Sequence, residues 1–238
     1  MQIELTYKPK NPTIIEGFPS LGLVSTIATG FLIEHLNAKP IGKIWAKELE
    51  PMVAIHDKKV IEPIEIYYAK KNNLIIINAL TNAKGLEWEV ADTILQLCKD
   101  LKAKELISIE GIGSSSQNPP KSFYYTNASE NEKRLEKSGA TPLKEGIASG
   151  VTAALMLKAK SIKTSCIFAE THSQLPDSRA AAKIIETLDK LMNIKVDPKP
   201  LLKKAEEFEK KLQNLLKQTM SAKEEKEKKD EQTPSYFG

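Results

Sequence analysis

Thr13-Ile14-Ile15-Glu16-Gly17-Phe18-Pro19-Ser20-Leu21-Gly22-Leu23-Val24 carries the first decision about the fold. Thr13–Glu16 is a short β-branched run, and such residues suit a pleated, half-buried surface. Gly17-Phe18-Pro19 breaks it, because proline fixes φ and offers no N–H to continue a ladder. Ser20 is a candidate N-cap, and a helix is expected from Leu21 to Leu36. That helix is mostly apolar, with small residues at Gly22, Ser25, Ala28 and Gly30. It must therefore pack closely against a sheet or a second subunit. A strand, a glycine break and an apolar helix in succession form one unit of an α/β fold.

The same alternation continues outward. Strands are expected at Ile41–Ala46, Ile64–Ala69 and Leu74–Leu80, with Lys70–Asn73 as a hairpin turn. Gly85–Ala103 has helical periodicity through Leu86, Val90, Ile94, Leu97 and Leu101. Leu106–Ile109 is a buried strand that ends in Gly111-Ile112-Gly113-Ser114-Ser115-Ser116. After a proline-containing loop come a strand at Phe123–Thr126, a small-residue helix at Gly146–Ala159 and a buried strand at Thr164–Ala169. Glu170–Asp177 is a loop, and Ser178–Leu191 is a helix capped by Asp177 or Ser178. Near-continuous apolar strands followed by helices require a sheet covered on both faces. The expected core, residues 1–197, is a three-layer α/β/α sandwich with a mixed, mostly parallel sheet.

Asp197-Pro198 signals another helix start. Leu201, Ala205, Phe208, Leu212 and Leu215 follow at spacings of four and three, so 198–217 is expected to be an amphipathic C-terminal helix. Residues 218–238 form a polar tail. Lys223–Glu231 is charged at every position, four basic and five acidic, so it holds nothing to bury and is expected to be a flexible, solvated spacer. The chain then ends in Pro234-Ser235-Tyr236-Phe237-Gly238. Two adjacent aromatics beside a free carboxylate can make a compact docking peptide, whose rings supply buried area and whose carboxylate meets a lysine or a backbone nest; the alternatives are incidental aromatics on a polar tail, or rings folded back on the chain's own core.

Composition removes several classes. With 238 residues the chain is long enough for a sizeable core without disulfides. Its 35 basic and 31 acidic residues nearly balance, at +4, with no continuous basic patch for nucleic acid or a membrane surface. There is no 18-residue apolar span and no signal-peptide pattern at the N-terminus, so a cytoplasmic protein is expected. Cys98 and Cys166 sit in apolar runs, outside any C-x-x-C pair, and are expected to be buried free thiols. Neither metal nor cofactor is expected.

Three features have a chemical and a structural interpretation. Gly17–Gly22 has P-loop-like glycine spacing but no Lys-Ser/Thr after it, which excludes a P-loop. Gly111–Ser116 could cradle an anion or simply make a tight turn, and a rim shared with Tyr124 and Tyr125 is expected. Glu170, His172 and Asp177 follow a strand, where α/β active sites lie, yet loop-fixing hydrogen bonds are favoured over catalysis. A nucleoside-phosphorylase-like or hydrolase-type enzyme using Gly111–Ser116 and His172 is the alternative function. Trp45 and Trp88 are expected in the core or at subunit contacts, and His35 and His56 on the surface.

Gly17-Phe18-Pro19-Ser20-Leu21-Gly22-Leu23-Val24 resembles the opening signature of the proteasome assembly chaperone family. Gly111-Ile112-Gly113, and Glu170–Asp177 followed by Ala180-Ala181-Ala182, are similar to that family too, over residues 10–195. The added C-terminal helix and tail resemble its archaeal homologues. The resemblance implies a non-enzymatic protein with a nucleoside-phosphorylase-like sandwich. It implies a homo-oligomer, a tetramer being one option, that binds α subunits of the 20S proteasome through its C-terminal tails. The implied role is assembly chaperone or ATP-independent activator or adaptor. The family's tail motif is a hydrophobic residue, tyrosine and any residue. By resemblance Tyr236 takes the hydrophobic slot, Phe237 the tyrosine slot and Gly238 the free slot. Phe237 departs from the motif by lacking the phenolic hydroxyl.

Overall fold

The computed structural model of the chain describes residues 1–56, 58–114, 118–172 and 175–203. In chain order these form β1 (Gln2–Leu5), β2 (Thr13–Gly17), α1 (Val24–His35), β3 (Lys39–Trp45), β4 (Ala54–His56), β5 (Lys59–Ile61), β6 (Ile64–Ala69), β7 (Leu74–Ala79), α2 (Glu87–Asp100), β8 (Glu105–Gly113), β9 (Ser122–Thr126), α3 (Ser129–Lys137), β10 (Thr141–Pro142), α4 (Gly150–Lys158), β11 (Thr164–Thr171) and α5 (Ser178–Met192).

Nine strands make one sheet in the order β1-β3-β6-β7-β2-β8-β11-β9-β10, and β4 and β5 form a separate hairpin. The centre is parallel: β7, β2, β8 and β11 all run the same way. The flanks are antiparallel at β1–β3, β3–β6, β6–β7 and β11–β9. The sheet is therefore mixed, and its parallel character is confined to the middle and to the two-residue strand β10.

Alternate strand residues project to opposite faces, which divides the core in two. Ile15, Ile76, Ile107 and Ile167 pack on one face, under α1 and α5. Ile14, Ile75, Ile77 and Leu106 pack on the other, under α2 and α4. Helix α5 buries Ala180, Ala181, Ile184, Ile185 and Leu188 along a single stripe. Each large aliphatic side chain so buried contributes about 1.5–3 kcal/mol. The α/β/α sandwich is the expected one.

Several local expectations need correction. Ser20 does not cap a helix, and α1 starts at Val24 after a short 3₁₀ turn at Leu21–Leu23. Gly22 and Leu23 both have positive φ, 67° and 48°, which kinks the chain there. A Cβ on Gly22 would lie 2.6 Å from Thr171 Oγ1, so both the conformation and the space call for glycine. Helix α4 starts at Gly150 and not at Gly146. Strand β8 runs on to Gly113, beyond the expected Ile109. Trp45 and Trp88 are 43% and 53% exposed, so neither belongs to this chain's core. Tyr124 is buried in the core cluster under α1 and α5, so it does not contribute to a surface rim.

Cys98 and Cys166 are buried and unbridged, as expected. Burial pushes the Cys98 thiol up to about 12, which makes it a poor nucleophile. His35 is on the surface, near the Lys195 carbonyl at 3.2 Å. The His56 side chain and residues 115–117 and 173–174 lie outside the described residues.

Asp197 accepts from the Lys199 N–H at 3.0 Å, and a helical segment occupies 199–203. Leu201 packs with Leu191, Ile194 and Val196. The remainder of the expected C-terminal helix, with Ala205 to Leu215 of its seam, lies outside the described residues. So does the tail 218–238 with Tyr236, Phe237 and Gly238.

Candidate functional site

Two neighbouring parallel strands send their chains to opposite faces of the sheet. The segment after β2 enters α1 on one face, whereas β7 leads into α2 on the other. A crevice is expected where such connections part, outside the carboxyl ends of the strands. A cavity of about 570 Å³ lies there. Its walls are Phe18–Leu21 after β2, Asn82, Lys84 and Glu87 at the start of α2, Glu110–Gly113 of β8, and Ile147 and Ser149–Thr152 at the start of α4.

Strand β8 outruns one neighbour. It pairs with β2 only through Ser108 but with β11 through Gly113. The Gly111 N–H therefore turns to the Ser20 hydroxyl, at 3.3 Å, instead of a strand partner. A Cβ on Gly111 would meet the Leu21 carbonyl at 2.3 Å, so this close crossing of the β2 loop over β8 requires glycine.

Polar side chains fill the sheet face beneath the cavity. One cross-strand rung reads Ile77, Glu16, Ser108 and Cys166 on β7, β2, β8 and β11. Glu16 is fully buried, and neither carboxyl oxygen has a hydrogen-bond partner among the described residues. The Ser108 hydroxyl donates to Thr152 Oγ1 at 2.9 Å. Burial pushes the Glu16 carboxyl up to about 8; the nearby Ser108 hydroxyl opposes this and Glu110 reinforces it. Glu110, two residues further along β8 on the same face, lines the cavity and is 8% exposed. Its Oε2, itself enclosed, has no partner among the described residues. Burial raises this carboxyl to about 7, against the pull of the Thr152 hydroxyl and the Ser149 backbone.

Neither glutamate was singled out from the sequence. The signal was there: Ile15-Glu16-Gly17 and Ile109-Glu110-Gly111 each place a charged residue inside an apolar strand just before a glycine. A carboxylate in such a run is either paired or functional.

The expected candidates behave differently. Glu170 accepts from the Lys121 N–H at 3.0 Å and from the Ser114 hydroxyl at 3.2 Å. His172 Nδ1 lies 3.0 Å from the Ser114 carbonyl. Asp177 accepts from the Arg179 and Ala180 N–H groups at the start of α5 and from the Thr171 hydroxyl. All three fix loops, the outcome favoured from the sequence, and none lines the cavity. Of the Gly111–Ser116 stretch, Gly111–Gly113 is strand wall and 115–116 lie outside the described residues. The Glu170/His172/Asp177 grouping thus gives no support to the hydrolase or phosphorylase alternative. Among the described residues no group of three or more His, Cys, Asp or Glu could hold a metal ion. No helix among them is long and apolar enough to cross a membrane.

Comparison with known proteins adds an independent axis. The PAC2 family model matches residues 14–216. An uncharacterized protein of Methanocaldococcus jannaschii, MJ0106, is 30% identical over 211 residues, covering 88% of this chain and 87% of that one. A crystal structure of Pyrococcus furiosus PbaA, an archaeal homolog of proteasome-assembly chaperone, is 31% identical. It superposes with a TM-score of 0.82 over 99% of each chain. Pyrococcus furiosus PbaB, an archaeal proteasome activator, is 22% identical, with a TM-score of 0.79 over 90% of this chain and 98% of that one, and shares the fold.

Proposed function

This chain belongs to the PAC2 family, and on that premise we propose that it is a homo-oligomeric proteasome-binding protein. Its C-terminal tails dock in the α-ring of the 20S particle, and it serves as assembly chaperone or ATP-independent activator. The observation that carries this is the similarity to PbaA across the whole length of both chains. The sequence Tyr236-Phe237-Gly238 at the end of a charged spacer supplies the means.

The physical logic is that of a tethered peptide. Residues 218–234, read as a flexible coil, have an r.m.s. reach of roughly 20–25 Å. Several such tails on one oligomer raise the effective concentration at neighbouring pockets, so weak single contacts add to a stable complex. The ring in the tyrosine slot, Phe237, supplies buried area. The missing hydroxyl forgoes a hydrogen bond of about 0.5–1.5 kcal/mol.

The test is removal of Tyr236–Gly238 from the full chain. Retention of 20S particles in a pull-down and the peptidase rate of purified particles are then compared with the intact protein. Loss of retention is expected, and undiminished retention would end the tail hypothesis. Phe237→Tyr is expected to tighten binding by about two- to tenfold, measured by surface plasmon resonance on immobilised 20S particles.

A further inference from the structure

We propose that the cavity at the carboxyl ends of β2, β7 and β8 is a binding site for a small ligand bearing a protonated amine or guanidinium, with Glu110 as its counter-ion. This site is separate from the tail and does not depend on the proteasome reading.

Three observations converge on it. First, Glu110 is a buried carboxyl, 8% exposed, that lines a 570 Å³ cavity, and the enclosed Oε2 of that carboxyl has no hydrogen-bond partner among the described residues. A buried acceptor left unpaired is costly, and a native site that keeps one has a use for it. Second, the surroundings favour a cation. Glu87 also lines the cavity and offsets the lone ammonium of Lys84 among the lining residues, so an ionised Glu110 has no counter-charge there; Glu16, behind it on the same sheet face, keeps its proton up to about pH 8 and adds no charge of its own. Third, β8 offers acceptors on its free edge. Backbone groups alternate sides along a strand. The Gly113 carbonyl therefore points the same way as the Gly111 N–H, toward the Ser20 side. An ammonium or guanidinium has several donors and no acceptor, which matches a carboxylate beside a carbonyl. The scarcity of ligating groups disfavours a divalent ion, since Glu16, Glu110 and Cys166 form no metal-competent cluster.

The groups around Glu110 set the pH dependence. Glu16 and Ser108 face it from the sheet, Ser149 and Thr152 from α4, Lys84 and Glu87 from the α2 side, and Cys166 from β11. With the empty-site carboxyl near 7, a cation binds the ionised form and releases a proton from the rest. Affinity is then expected to be about tenfold weaker at pH 6 than at pH 8.

The experiment is an NMR titration of the full chain, ¹⁵N-labelled, with methylguanidinium, n-butylammonium and the neutral isostere methylurea. Shifts at the Gly111, Gly113 and Gly150 amides are expected with the two cations and not with methylurea. Glu110→Gln is expected to abolish them, whereas Glu16→Gln changes the affinity by less than about threefold at pH 7. A second arm sets free arginine against an arginine-terminated peptide; tighter binding by either assigns the source of the cation. Equal response to methylurea, or shifts that persist in a folded Glu110→Gln, would overturn the site. If that variant does not fold, the native chain decides: equal affinity at pH 6 and pH 8 sinks the proposal.

Discussion

Strand β8 begins and nearly ends on a buried glutamate, and the two ends of the sheet treat them in opposite ways. Glu105 is 7% exposed and Glu110 is 8% exposed. Glu105, at the amino end, is ion-paired with the Arg134 guanidinium and lies 3.4 Å from Asn131 Nδ2. It sits in a depression of about 590 Å³ that also holds Lys71, Lys104 and Lys163. Glu110, toward the carboxyl end, lines a cavity of similar size, and its enclosed Oε2 has no partner among the described residues. Equal burial therefore does not mean equal role. A buried carboxylate with a guanidinium is an anchor between α3 and the sheet; one without is held in readiness for something outside the chain.

The largest test of this contrast is on the unpartnered end. The Glu16 carboxyl is raised from 4.5 to about 8 in the folded chain. Between those values the unfolded chain gives up the proton while the folded chain keeps it, so stability falls as pH rises through this window and levels off above it. Glu16→Gln removes that titration. Denaturant unfolding at pH 4.5 and pH 8 should show the variant gaining roughly 3–5 kcal/mol on the native chain across the window. A flat difference would mean that Glu16 is solvated or paired after all.

The paired end should respond in the opposite sense. Arg134→Met leaves Glu105 buried without its cation. With the guanidinium 43% exposed, the pair is partly screened, and a loss of about 2 kcal/mol is expected by urea unfolding at pH 7. Asp177→Ala, back at the carboxyl end, removes the cap of α5 and the acceptor of the Thr171 hydroxyl. A melting-temperature drop equivalent to about 1 kcal/mol is expected. The smallest effect belongs to Lys163→Ala, which breaks an exposed pair with Glu130 at 2.9 Å. Its expected cost in urea unfolding is the smallest of the set, near the limit of detection, and it should disappear in 1 M salt.

Much of the fold was legible because apolar periodicity is local. The runs at Thr13, Leu74, Leu106 and Thr164 became the four parallel central strands, and Asp177 capped the helix it precedes. The missed elements lack such a pattern. Helix α3 buries only Asn131 and Leu135, so its sequence looks like loop. Strand β1 is a four-residue edge strand, held by its register with β3 and not by its own apolar content. The helix boundary at Ser20 failed for a different reason. The Ser20 hydroxyl is drawn to Gly111, 91 residues away, and a left-handed pair delays the helix to Val24.

The chain's sequence alone settled the alternation of strands and helices in the core, because that pattern depends on neighbours a few residues apart. Tertiary structure decided which glutamates are paired. Glu16, Glu105 and Glu110 all stand in or beside apolar runs, and the glycine that follows Glu16 and Glu110 does not say which carboxyl meets a counter-charge. Arg134 reaches Glu105 from a helix 29 residues on, whereas the cavity beside Glu110 exists only where β2, β7, β8 and α4 converge. Whether a buried charge meets a counter-charge is fixed by packing across the sheet, a distance that sequence spacing does not measure.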